Sequence, residues 1–202
     1  MRPHFLPWAI AFVITRAGDL WSTALFMLQP GGEAGEMNPL TSLFGLGYWP
    51  LAVSNILFSA LLLYGHWHYC KHFGKRTLPS VPSNRSEYAS LLFFGRVGQA
   101  WKTLFTVERN QRLHYSQLAH VLVKAIACVS VLAVLHNLGQ FYGWALNDHL
   151  RTMLIRPTLV YYGICIPLAW FFASRMLTKE YLHWLDHNSS TSRTAGANQQ
   201  QP

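Results

Sequence analysis

The sequence predicts an all-α protein: a multi-pass transmembrane bundle of four spans with one interfacial amphipathic helix. Three observations predict it. Charged residues make up 12% and apolar residues 51% of 202 positions, and soluble domains usually carry about twice that charged fraction. The missing charge is concentrated in apolar stretches about as long as a bilayer core is thick. The net charge of +8 is carried by basic residues beside those stretches. Anionic headgroups and topology control explain such clusters more simply than nucleic acid does.

One membrane domain is expected over 1–187. Met1-Arg2 precedes an apolar run, but Arg16 and Asp19 interrupt it and no small-residue cleavage site ends it. It reads as a retained span over residues 5–28, not a cleaved leader. Gln29-Pro30-Gly31-Gly32 stops it. The connector holds Glu33 and Glu36 and no Lys or Arg. Asn38-Pro39 has the form of a helix start, with Asn capping and Pro at the first helical position. A straight helix from Pro39 to Tyr64 would measure about 39 Å, more than a ~30 Å core needs. Gly45, Gly47 and Pro50 predict a short helix over 39–44, a break, and a second span over 49–64.

Residues 65–117 form a basic loop. Lys71, Lys75, Arg76, Arg85, Arg96, Lys102, Arg109 and Arg112 face only Glu87 and Glu108. Pro79, Pro82 and Ser83-Asn84 mark a flexible stretch. From 88 to 107, Leu91, Phe94, Val97, Trp101, Leu104 and Phe105 recur at helical steps with polar residues between them. That pattern predicts a helix in the headgroup plane, with Arg96 and Lys102 contacting headgroups. A fifth span there would bring both cations into lipid. The third span is expected over 118–138 and the fourth over 157–177, bent by Pro167. The Ser-, Thr- and Gln-rich stretch 188–202 is expected to be disordered.

Basic residues stay cytoplasmic. An even number of spans therefore places both termini and the basic loop inside, in the plasma (cell inner) membrane. Tyr48-Trp49 and Tyr142-Trp144 then mark one interface, Tyr64-Trp67 and Tyr181-Trp184 the other.

Asp19 lies about 20 Å along the first span from Leu6. A carboxylate at that depth must pair, protonate or face a polar cavity. Arg16 is one turn earlier on the same face, so two readings stand: a structural Arg16–Asp19 ion pair, or an ion or proton site. Asp19-Leu20-Trp21-Ser22-Thr23, Gly31-Gly32 and Glu36-Met37-Asn38-Pro39 together resemble a family of small, mostly bacterial membrane proteins of unknown function. Its pattern is an intramembrane Asp, a Ser/Thr, a glycine turn and Glu-x-Asn-Pro. The resemblance covers about residues 8–66, and its family-type positions are Asp19, Thr23, Glu36, Asn38 and Pro39. It implies no activity. Physically, Asp19, Thr23, Glu36 and Asn38 would offer oxygens to a hard cation or a relay to protons. The plainer reading of Glu36-x-Asn38-Pro39 is a good turn and helix start.

His66-Trp67-His68-Tyr69-Cys70-Lys71-His72 is the second cluster. On a helix, His68 and His72 share one face and His66 and Cys70 another. With Cys70, His68 and His72 make a sparse candidate zinc or copper set, which His114 or His120 could approach. Lys124 is expected to reach for headgroups, and Asn55 to hydrogen-bond across helices. The three cysteines suggest no disulfide framework. No serine-hydrolase elbow, zinc-protease motif or nucleotide loop is present. The reading leans away from an enzyme and requires no cofactor. Expected partners are membrane lipids, a proton or small cation, or another membrane protein, but not nucleic acid. Three functions remain: a proton- or cation-handling module, a non-catalytic structural or partner subunit, and, weakest, a lipid-processing enzyme.

Overall fold

The computed structural model describes residues 3–28, 45, 47–74, 78–144 and 157–198, with side chains except at Phe26, Leu104, 157–162 and 188–198. Among these residues the fold is all-helical: α1 Phe5–Met27, α2 Tyr48–Lys71, α3 Arg85–Phe94, a 3₁₀ turn Ala100–Leu104, α4 Gln111–Phe141 and α5 Pro157–Asn198. The short helix expected over 39–44 and the motif residues Glu36 and Asn38 lie outside the described residues.

By length and composition, α2 and α4 can each cross a membrane. Arg16 and Asp19 fall in the middle of α1 and dilute its apolar run. The described helices carry large apolar residues outward: Ile14, Leu57, Leu61, Ile166 and Trp170 are all at least 65% exposed. Such faces bury their area only against lipid or another protein.

α4 is the central element and packs against α1, α2 and α5. Phe12, Leu62, Ala119, Val123 and Ala127 form the core between α1, α2 and α4. Tyr69, Phe73, Val121 and Met176 form a second core between α2, α4 and α5. The α2–α4 crossing is close because Gly65 has no side chain. A Cβ there would stand 2.5 Å from that of Ala119, a small-residue contact of the kind that draws membrane helices together.

Three expectations change. The basic loop is not one amphipathic helix over 88–107. α3 ends at Gly95, which takes a left-handed conformation (φ 72°), and the chain resumes as the 3₁₀ turn. Helical spacing persisted across this break, so periodicity alone did not reveal it. Tyr88 through Phe94 are all buried, packed with Tyr181 and Trp184 of α5 and not against a headgroup plane. Val97, Trp101 and Phe105 remain outward, 57%, 62% and 80% exposed. The second helix does not stop at 64 but runs through the histidine cluster to Lys71. The last helix continues to Asn198, past the expected onset of disorder at 188, because extending an existing helix is far cheaper than nucleating one.

Candidate functional site

Two polar clusters lie inside the bundle, one near mid-span and one toward the end where α1 and α4 begin and α2 finishes. At mid-span, Arg16 Nη1 donates to the Asp19 carboxylate at 2.5 Å and to Ser130 Oγ of α4 at 3.1 Å. Its Nε and Nη2 donate to the Asn55 amide oxygen of α2. One guanidinium thus joins three helices, using the planar fork that suits Arg to multiple fixed acceptors. The ion pair read from the sequence forms, and Asn55 bonds across helices as expected. Both charged side chains are under a fifth exposed.

Seven residues further along α1, the Asn137 amide of α4 donates to Ser22 Oγ and Thr23 Oγ1, both at 3.1 Å. Ser22 in turn donates to the Asp19 carbonyl. Seven residues is nearly two helical turns, so Arg16 and Thr23 on α1 meet Ser130 and Asn137 on α4 along one seam. The described half of the proposed oxygen set is therefore occupied: Asp19 serves Arg16, and Thr23 serves Asn137. Sequence reading passed over Ser130 and the pairing of Asn137, although polar residues at heptad spacing within apolar spans carried the signal.

The second cluster follows from the close crossing at Gly65. His66 is buried and faces His120 of α4, with Nδ1 to Nδ1 at 2.8 Å. Lys124 Nζ stands 2.7 Å from His120 Nε2, and His66 Nε2 lies 3.4 Å from the Phe5 carbonyl. The proton positions follow from the carbonyl end for neutral rings, because a carbonyl only accepts. His66 must carry its proton on Nε2, leaving Nδ1 to accept. His120 must then donate from Nδ1 and accept at Nε2, where Lys124 donates. The chain Lys124–His120–His66–Phe5 is polarised in one direction.

Cys70 Sγ also approaches His66 Nδ1, at 3.8 Å. His66, Cys70 and His120 are thus the metal-capable group, with ligand atoms all within 4.8 Å. This corrects the sequence-based set: Cys70 turns to His66 and His120, while His68 and His72 pair with each other, ring centroids 4.5 Å apart. Helical registry decides this, since Cys70 is four residues from His66 but only two from either His68 or His72. The ring nitrogens are nearer to hydrogen-bond spacing than to the roughly 3.3 Å that two ligands on one tetrahedral zinc require. Lys124 also holds His120 in the tautomer whose Nδ1 is protonated, so the trio stands as a hydrogen-bonded chain. Lys124 itself is steadied by its contact with His120. It lies over the rings of Trp8 and Phe172 and faces a cavity.

A second buried acid escaped the sequence reading. Glu180 of α5 accepts from Gln117 Nε2 of α4 at 2.9 and 3.0 Å and from the Tyr88 hydroxyl of α3 at 3.4 Å. It ties the loop helix to the bundle. In the loop itself, Arg96 pairs with Glu108 at 2.8 Å, and Lys102 lies over the Trp101 ring.

Compared with known proteins, the chain matches no family model, no curated protein and no solved structure.

Proposed function

We propose that this is a four-span integral membrane protein with a non-catalytic role, a structural or partner subunit whose intramembrane charges serve the fold and not a reaction. The supporting observation is the closure of Arg16 onto Asp19, Asn55 and Ser130, one residue linking three helices. A working ion site needs an acid able to exchange its partner, whereas Asp19 is engaged by a permanent cation whose other donors are anchored elsewhere. The outward apolar residues of α1, α2 and α5 suit lipid, and Val97, Trp101 and Phe105 suit shallow insertion of the basic loop. Kinship with the small membrane-protein family belongs to the same reading.

Paired charge variants test it. Asp19→Asn leaves Arg16 unpaired, and an uncompensated buried charge costs about 3–5 kcal/mol. Asp19→Asn combined with Arg16→Gln is expected to recover most of that loss in thermal melts of the purified protein. The proposal fails if the double variant melts no higher than Asp19→Asn. It also fails if the wild-type melt shifts with added cations and that shift disappears in Asp19→Asn.

A further inference from the structure

A cavity of about 410 Å³ opens at the end of the bundle where α1 and α4 begin. Lys124 enters it from α4, Arg175 and Lys179 from α5, and His4 from the chain before α1. Arg175 and Lys179 are four residues apart and share a helix face. The apolar wall is largely aromatic, with Trp8, Phe171 and Phe172. Lys124 is aimed by its bond to His120 and by the rings of Trp8 and Phe172. Arg175 lies over Phe171, 5.5 Å from the ring centre. These ring contacts orient the cations and neutralise none of them.

No carboxylate is among the described residues lining the cavity. Glu180, next to Lys179 in sequence, bonds to Gln117 and Tyr88. Three basic side chains on low-dielectric walls focus a positive potential into one space. Lys supplies strongly hydrated point charges and Arg a two-pronged donor, a combination suited to phosphate oxygens.

We propose that Lys124, Arg175 and Lys179 form a binding site for a phosphate group. The surroundings suit a phosphate carried by an anionic lipid. The cavity falls within the range of ligand pockets, roughly 300–1,000 Å³, and is small enough that acyl chains must lie outside it. On α5 the Phe171 ring, part of the cavity wall and 48% exposed, offers those chains an apolar edge. The lipid form of the proposal rests on the membrane reading above, which is tested separately by whether the protein remains with membranes after high-salt and alkaline washing.

The test compares full-length protein in nanodiscs of phosphatidylcholine alone with nanodiscs doped with phosphatidic acid. A third arm titrates inorganic phosphate into the phosphatidylcholine discs. Retained lipid is read by native mass spectrometry and stabilisation by thermal melting. Phosphatidic acid is expected to be retained over phosphatidylcholine and to raise the melting temperature. Arg175→Gln and Lys179→Gln should each weaken binding several-fold, and Lys124→Met should abolish it. Arg96→Gln with Lys102→Gln should leave it unchanged. Stabilisation by inorganic phosphate alone, lost in the same variants, would support the phosphate site and identify a free anion as its occupant. Three outcomes overturn the proposal: neither probe binds above the phosphatidylcholine background, the Arg175→Gln/Lys179→Gln double variant binds like wild type, or the loop variants are the ones that lose binding. Because Arg175 and Lys179 lie outside the helix-joining clusters, their variants keep the test decisive even if Lys124→Met fails to fold.

Discussion

Lys124 shows how one side chain decides the chemistry of its neighbours. Its ammonium donates to His120 Nε2, which requires a lone pair there and puts the His120 proton on Nδ1. That is the atom His120 would have to offer a metal alongside His66 and Cys70. Zinc uptake therefore requires the His120 proton to change nitrogen and Lys124 to withdraw. In the wild type, added zinc is expected to leave the melting temperature unchanged. In Lys124→Met, Nε2 is free to carry the proton, and zinc should stabilise the protein, by about 2.7 kcal/mol when its concentration is a hundredfold above Kd. Equal zinc shifts in both proteins would refute this account. Arg16 makes the complementary case. Its value lies in having enough donors to satisfy Asp19, Asn55 and Ser130 together, so a lysine there, without the planar fork, should not restore the bundle.

At the scale of elements, close approach and capping do most of the positioning. Gly65 lets α2 lie against Ala119 of α4, and that crossing brings His66 to His120. Gly65→Val would force the helices apart. The expected cost is about 1–3 kcal/mol, typical of overpacking, together with loss of the His66–His120 hydrogen-bonded imidazole signal in NMR spectra. Retention of that signal would show that the glycine does not set the crossing. α3 starts at Asn84, whose side chain accepts from the Ser86 and Glu87 backbone N–H groups, each at 3.0 Å. Glu87 reaches back to the Ser83 N–H and hydroxyl at 2.9 and 2.8 Å. Those two donors, the backbone N–H foremost, hold the Glu87 carboxyl below its ordinary value. Because the folded-state value is depressed, the cap's contribution is present above the ordinary carboxylate range and is lost as pH falls through the lowered value. Amide exchange in the first turn of α3 should accelerate over that acid window, and Glu87→Gln should remove the dependence. Unchanged protection across the window in wild type would disprove the link.

For the whole molecule, the distribution of charge predicts orientation. The loop between α2 and α4 carries most of the mid-chain basic residues, while 29–48 contains no Lys or Arg. If both termini are cytoplasmic, as this distribution predicts, then in a background whose three native cysteines are replaced by serine an introduced Ser83→Cys should resist an impermeant thiol reagent added outside intact cells. Gly32→Cys should react. Labelling of Ser83→Cys from outside would invert the topology. The same frame gives the cavity its setting, because the starts of α1 and α4, the end of α2 and the Arg175–Lys179 stretch of α5 converge at the end of the bundle that carries the basic loop.

Read alone, the sequence identified what is local: apolar stretches long enough to span, Arg16 one turn before Asp19, and His66 one turn before Cys70. Each depends only on spacing along one helix, where periodicity is a sufficient guide. The 3₁₀ break after Gly95 escaped it because apolar residues keep helical spacing on both sides of a left-handed glycine. Tertiary structure alone decided which helices share a face. It set Ser130 and Asn137 against Arg16 and Thr23, gathered His120 and Lys124 around His66, buried Glu180 between α3 and α4, and brought Lys124, Arg175 and Lys179 from distant sequence into one cavity. Those pairings depend on interhelical packing, where a single small contact such as Gly65 against Ala119 selects the register, and no spacing within one helix encodes a partner on another.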